Sequence, residues 1–306
     1  MAGAERDRPA VSRVRVAYQG APGAYSEAAV LHYWREAAEP VPTATFADVV
    51  HAVDRGTVEL GLLPFENQVI GVIAASCGAL ADALDAGARI RVVGETSVLV
   101  RHCLIAPPGA TIDAVTRVMS QPVALAQCGR FLSAHPWMAA VDAYDTAGAA
   151  RDVAAAGDPT LAAVAARRAA ERYGLVVLAE GIEDRPGNRT RFLAVGATPA
   201  PPNDGLPART VLFTRWTGDG RSLRRAVRRA LDAVGQAASG AAAEERLRAR
   251  VLAWPAGETE AEMEAEPASV RALVLLDHVA GTYGWPTRHA APVSRSRSSS
   301  SSRTSR

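Results

Sequence analysis

Gly181-Ile182-Glu183-Asp184-Arg185-Pro186-Gly187-Asn188-Arg189-Thr190-Arg191-Phe192 leads through a Pro-Gly turn into the apolar run Phe192-Leu193-Ala194-Val195. Such a turn delivers a hydroxyl, a guanidinium and an aromatic ring to the start of a strand, where a rigid scaffold can present them. Upstream, Val14 to Tyr18 alternates as a strand and is broken by Gly20-Ala21-Pro22-Gly23. Ser26 stands as an N-cap ahead of a helical pattern over 27–36. Residues 59–64 predict a brief buried strand that ends in a loop carrying Glu66-Asn67-Gln68. Two strand-like runs fill 89–104, and helical patterns cover 123–133 and 147–156. A strand over 161–164, a helix over 166–173 and a strand over 175–178 follow. Strands alternating with helices indicate an α/β fold on a parallel sheet, with functional loops at the strand ends.

The chain has 306 residues, enough for two or three domains, with 48% hydrophobic and 22% charged residues, as in a globular protein. No apolar run approaches the ~20 residues a bilayer-spanning helix needs. Met1 to Arg13 is charged and lacks an apolar centre, which argues against a signal peptide and for a cytoplasmic protein. Cys77, Cys103 and Cys128 are widely spaced and read as reduced thiols, with no metal site implied. All 34 basic residues are arginine. Schiff-base chemistry, pyridoxal phosphate anchoring and a Walker P-loop each need a lysine amine, so all three are excluded. A net charge of +2 argues against a dedicated nucleic-acid partner.

The chain divides by composition into a flexible start (1–13), an α/β region (14–198), a Pro-rich linker (199–208), a further strand-helix region (209–288) and a disordered Ser/Arg tail (289–306). In the fourth segment, strands are expected over 210–214, 246–254 and 269–277, with a helix over 223–233 and an acidic loop over 258–266.

Five blocks, in order, resemble the prephenate and arogenate dehydratases. They are Tyr18-Gln19-Gly20-Ala21-Pro22-Gly23-Ala24-Tyr25-Ser26-Glu27, Pro64-Phe65-Glu66-Asn67-Gln68-Val69-Ile70-Gly71, and Ser120-Gln121-Pro122-Val123-Ala124-Leu125-Ala126-Gln127-Cys128. Asp145-Thr146-Ala147-Gly148-Ala149-Ala150 and the run from Tyr173 through Thr190-Arg191-Phe192 complete the set. The resemblance implies two α/β subdomains around a cleft, like a solute-binding protein, and a C-terminal ACT-like βαββαβ domain. It implies a cofactor-free lyase acting on a small dicarboxylate, without nucleic-acid or membrane partners, assembled as a homodimer or homotetramer. Arogenate in place of prephenate, a non-aromatising prephenate decarboxylase and a non-catalytic cleft-binding sensor stand as alternatives.

Dehydration with decarboxylation needs a hydrogen bond to the departing hydroxide, where charge develops. The resemblance gives that role to Thr190 and places Asn67 and Gln127 around the reacting ring. Amides suit a dianion because they bond without adding negative charge. Thr190 could instead be a β-branched strand residue, and Gln127 could face a helix exterior. Arg191 could clamp a substrate carboxylate bidentately or sit in a structural ion pair. Phe192 could touch substrate or pack in the core. Ser120 and Thr146 could bind carboxylate or cap helices. Gly20, Tyr25, Ser26, Glu66 and Gln68 complete the expected cleft, with Glu66 bracing its own loop rather than acting as an acid. Gln68, Gln121 and Val123 depart from the family's usual Ser, His and Gln. The family's phenylalanine site is expected to be degenerate, since its acidic run aligns with Leu252-Ala253-Trp254-Pro255 and its small-residue turn with Gly220-Arg221-Ser222-Leu223.

Overall fold

A computed structural model describes residues 13–198 in full and, beyond them, the backbone of 207–217, 248–255, 269–279 and 285–286. In chain order the elements begin with β1 (Val14–Gln19), α1 (Tyr25–Trp34), β2 (Ala38–Thr43), α2 (Phe46–Asp54), β3 (Leu60–Asn67), β4 (Gly71–Val72), α3 (Ala74–Asp85) and β5 (Arg91–Leu99). Then come β6 (Cys103–Ala106), β7 (Arg117–Ser120), α4 (Pro122–Gln127), α5 (Gly129–Ala134), β8 (Ala139–Asp142), α6 (Thr146–Ala156), β9 (Leu161–Ala165), α7 (Arg167–Tyr173), β10 (Val176–Glu180) and β11 (Arg189–Gly196).

These elements form two sheets. The first runs β2-β1-β3-β11-β5, with β4 paired to β3, and the second runs β10-β6-β9-β7-β8. Neither sheet is wholly parallel, contrary to the alternation argument. β1 runs parallel to β2 and β3, and β7 runs parallel to β8 and β9. β11 is antiparallel to both β3 and β5, and β6 is antiparallel to β9 and β10. The chain leaves the first sheet after β5 and returns to it through β11. A strand that comes back from another subdomain is freed from the direction a crossover helix imposes, which is why the alternation rule fails there.

Apolar side chains alternate along β1, β3 and β11 and fill both faces of the first sheet. Tyr18, Leu62, Val98, Phe192 and Ala194 pack with Val30 of α1 on one face. Ala17, Leu63, Phe65, Leu193 and Val195 pack with Val49 and Val53 of α2 and Leu80 of α3 on the other. Gly61 permits the close approach of α2, since a Cβ there would lie 2.8 Å from a Val49 methyl. The second sheet is covered in the same way by α4 on one side and by α6 and α7 on the other.

Several boundaries differ from expectation. Helix α1 begins at Tyr25 with Ala24 as N-cap, so Ser26 lies inside the helix and is not its cap. β3 continues through Asn67, so Glu66 and Asn67 are strand residues. The helix expected over 123–133 breaks at Cys128 into α4 and α5. α2 escaped the sequence reading although Thr45 and Asp48 form a capping box at its start.

The C-terminal strands β12 (Pro207–Thr217), β13 (Arg248–Pro255), β14 (Ser269–Val279) and β15 (Trp285–Pro286) pair antiparallel in the order β13-β14-β12-β15. Leu252, Trp254 and Pro255 fall on β13 opposite Leu273, Arg271 and Val270. Gly220, Leu223, the expected helix over 223–233 and the Ser/Arg tail lie outside the described residues.

Candidate functional site

Two crossings join the subdomains: Val100–His102 between β5 and β6, and 181–188 between β10 and β11. They bond to each other. Val100 N–H donates to the Asn188 carbonyl at 2.8 Å, and Gly181 and Ile182 N–H donate to the His102 carbonyl at 2.9 and 3.2 Å. His102 N–H donates to the Glu183 carboxylate at 2.9 Å. Thr190 stands two residues beyond this hinge, at the start of β11.

Thr190 lies opposite Asn67 on β3 and Val98 on β5, and is 8% exposed. Asn67 Nδ2 donates to Thr190 Oγ1 at 2.9 Å. The amide cannot turn over, because Asn67 Oδ1 already accepts Val69 and Ile70 N–H at 2.9 and 3.2 Å. The Thr190 oxygen is therefore an acceptor toward Asn67, and its own proton is free to point elsewhere.

Arg191 faces the other way. Successive residues of a strand project to opposite sides, and a bulge leaves Phe65 without an opposite number, so Arg191 pairs with Glu66 and Phe192 with Pro64. Arg191 Nη1 donates to Glu66 at 2.7 Å, and its Nε and Nη2 donate to Glu95 at 2.8 and 2.6 Å. Its guanidinium carbon sits 4.8 Å from the centre of the Phe65 ring. The carboxylate-clamp role for Arg191 is not what this geometry offers: the fork is taken by two glutamates on the face away from Thr190. Glu66 braces this cluster from β3. Phe192 is 1% exposed and belongs to the core, so it is no substrate contact.

Ser120 also departs from expectation. It is fully buried, and its hydroxyl donates to the Val164 carbonyl at 2.6 Å, tying β7 to β9 instead of facing a ligand. Thr146 opens α6 half-buried, and the cap is Asp145, whose carboxylate accepts Gly148 N–H. Gln68 is exposed and bonds Arg189 in both directions, adding a rung to the β3–β11 ladder. Gln121 and Val123, the other departures from the family pattern, are both exposed on the first turn of α4.

Gln127 ends α4, and its Oε1 lies 3.0 Å from His102 Nε2. On the other side of that ring, Nδ1 lies 3.2 Å from Tyr25 Oη, which donates to the Arg101 carbonyl at 2.7 Å. Tyr25 from α1, His102 from the hinge and Gln127 from α4 thus form one chain that links the two subdomains. Burial holds the His102 imidazole below its usual pKa against the smaller opposing effects of Gln127 and Glu183, and pushes the Tyr25 phenol well above its own.

The Gly-rich loop is clamped between subdomains. Ala21 N–H donates to Asp145 at 3.4 Å, Tyr173 Oη donates to the Pro22 carbonyl at 2.7 Å, and Arg168 pairs with Glu27 at 2.9 Å. Gly23 has φ of +93°, and a Cβ there would meet the Ala169 backbone at 3.0 Å. Gly20, with φ of +117°, opens this loop.

Sequence reasoning missed His102, Glu95, Asp145 and Asn188. Asn188 is 4% exposed, and its Oδ1 has no partner among the described residues. It precedes Thr190 by two positions, a spacing that places both on one face. Its only sequence signal was its place in the opening segment. A concavity of about 600 Å³ lined by Arg167, Ala170, Glu171, Leu175 and Glu180 flanks α7, and none of the candidate residues lines it. Among the described residues, no helix is long and apolar enough to cross a membrane.

The prephenate dehydratase profile matches residues 16–200. Arogenate dehydratase 5, chloroplastic, of Arabidopsis thaliana is 41% identical over 214 residues, 69% of this chain and 49% of that protein. The chain thus spans about half the length of such relatives. A solved structure described as GqqA, a novel type of quorum quenching acylase, is 30% identical with TM-score 0.65, covering 86% of this chain and 87% of that one. Prephenate dehydratase from Arthrobacter aurescens in complex with L-Phe shares the fold, with TM-score 0.66 at 23% identity, covering 86% and 80%. With more than half of its length matched by one profile, the chain belongs to the prephenate dehydratase family.

Proposed function

We propose that the protein removes carbon dioxide and the ring hydroxyl together from prephenate or its amino analogue arogenate, giving phenylpyruvate or phenylalanine. The carboxylate's bonding pair moves into the ring as carbon dioxide leaves, and the ring expels its hydroxyl as hydroxide, which takes a proton from solvent to become water. Aromatisation supplies the driving force, so the chemistry needs neither metal nor organic cofactor. The observation that carries the reading is the Asn67–Thr190 bond. Because Asn67 is the donor in this bond, the Thr190 proton is left for the departing oxygen, where charge develops in the transition state. A threonine hydroxyl is too weak an acid to give up a proton at neutral pH, so the effect is a preorganised hydrogen bond in a site with little water.

Both substrates stay in the proposal. The Arabidopsis relative is named for arogenate and the matching profile for prephenate. The C-terminal strand order is that of a βαββαβ unit, which supports an ACT-like domain. The acylase description of one relative raises amide hydrolysis as a second reading. A covalent acylase needs an activated nucleophile. Cys77 and Cys128 are buried thiols pushed up to about 12, Cys103 is raised by burial as well, and Thr190 has a neutral amide where a base would have to be. Incubating the purified protein separately with prephenate, arogenate and an N-acyl amide, with chromatography of products, tests the proposal. Phenylpyruvate or phenylalanine is expected, and release of the acyl group alone would overturn it.

A further inference from the structure

Asn188 ends the crossing that returns the chain to the first sheet, and it extends the β11–β5 ladder by one rung. Thr190 lies opposite Val98 and Arg189 opposite Leu99, and the Asn188 carbonyl accepts Val100 N–H at 2.8 Å in the same register. Alternation therefore sets the Asn188 side chain on the face of Thr190, roughly 6–7 Å along the strand. On that face Phe192 and Ala194 belong to the core under α1, and the polar side chains begin where the core ends. Asn67, Thr190 and Asn188 are 6%, 8% and 4% exposed. Asn67 and Thr190 bond each other. Asn188 takes no part in that bond: its Oδ1 is buried without a hydrogen-bond partner among the described residues, the Thr190 hydroxyl included. Turning the amide over would put its amino group in the same unpaired place, so the mismatch does not depend on which end lies there. An amide buried in this way weakens the fold until something pairs with it.

We propose that Asn188 is a substrate-contacting residue whose amide holds the departing ring hydroxyl beside Thr190. The inference rests on the proposed dehydratase activity. Thr190 offers its proton to the hydroxyl oxygen, and the hydroxyl keeps a hydrogen and a lone pair of its own. Because a hydroxyl donates and accepts, it can pair with either end of the amide. A neutral amide does so without placing a charge beside the substrate's carboxylates. Two side chains on one oxygen fix the direction of the bond that breaks.

Asn188→Leu keeps nearly the shape of the side chain and removes its polar atoms. Without substrate it should melt at or above the wild-type temperature, because an unpaired amide has been removed. Its kcat/KM, on whichever of prephenate and arogenate the wild type converts, should fall roughly tenfold or more, the scale of one lost hydrogen bond. Asn188→Ala, which cannot crowd its neighbours, should lose activity to a similar extent. The product, phenylpyruvate or phenylalanine, has lost the ring hydroxyl, and by calorimetry it should bind wild type and both variants within about twofold. With an active wild type, three results would each overturn the inference alone: kcat/KM near wild type in both variants, a clearly lower melting temperature in Asn188→Leu, or product binding weakened as much as turnover. The second would show that the amide serves the fold, and the third that it serves another part of the ligand. A wild type inactive on both substrates would overturn the dehydratase reading and this inference with it.

Discussion

The Asn67 side-chain amide donates to the Thr190 hydroxyl at 2.9 Å, and two backbone N–H groups hold the amide's oxygen so that the donor end cannot turn away. The sequence separates these residues by 123 positions, and β3–β11 pairing makes them direct neighbours. A hydroxyl that already accepts one bond is left with its proton to offer, which is the property the proposed chemistry needs.

Asn67→Asp reverses that polarity at nearly constant shape. A carboxylate can only accept, so it would draw the Thr190 proton toward itself and add negative charge beside an anionic substrate. The turn at Val69 and Ile70 would survive, since either oxygen can accept their N–H groups. Turnover should fall by roughly two to three decades, the effect of one lost transition-state donor, while thermal melting stays close to wild type. A kcat near wild type would show that the Thr190 proton is not free for substrate.

Arg191→Ala should act on stability rather than on recognition. It removes the shared cation from the buried Glu66 and the partly buried Glu95, and the loss should approach the roughly 3–5 kcal/mol that breaking a fully buried pair costs. Urea unfolding would report this as a lower midpoint at unchanged slope. A variant with normal unfolding and a sharply raised KM would return Arg191 to the role of carboxylate clamp.

His102 gives the fold an acid-side sensitivity. Its pKa in the folded protein lies below the usual 6.5, with burial as the first cause. The unfolded chain therefore binds more protons between the two values, so stability is full above about 6.5 and falls as pH drops through that point toward the folded pKa. Melting temperature should decline across this window in wild type and decline less in H102Q. Identical pH profiles for the two proteins would remove His102 as the source.

Gly23→Ala tests the clamp on the Gly-rich loop. The added methyl would demand a left-handed backbone from alanine and press on the Ala169 backbone across the subdomain boundary. The substitution should destabilise by roughly 1–3 kcal/mol, the usual scale of such strain. Unchanged unfolding would mean that the loop and α7 separate freely.

Much of the site was legible because chemistry-bearing residue types sat beside turn signals. The Pro186-Gly187 turn and the apolar run after it placed Thr190 at the start of β11, where it is found. What the sequence hid was direction. Alternation alone puts Thr190 and Arg191 on opposite faces, yet the bulge at Phe65, which sets Asn67 on the face of Thr190 and Glu66 on that of Arg191, depends on long-range pairing. Ser120 looked available because hydroxyls bind carboxylates, but its bond to Val164 is set by the β7–β9 contact 44 residues away in sequence. His102 carried no local motif. Its importance comes from the hinge position, which appears only once β5 and β6 are assigned to different sheets.

The central claim, that the Thr190 hydroxyl is the donor to the departing oxygen, is tested most directly by turnover of Thr190→Ala and Thr190→Ser on whichever of prephenate and arogenate the wild type converts. Loss of one such donor costs roughly 3–4 kcal/mol of barrier. Thr190→Ala should therefore lose about two to three decades in kcat with little change in KM, and Thr190→Ser, which keeps the hydroxyl, should retain much of the activity. Normal turnover by Thr190→Ala would reduce Thr190 to a strand residue and contradict the account.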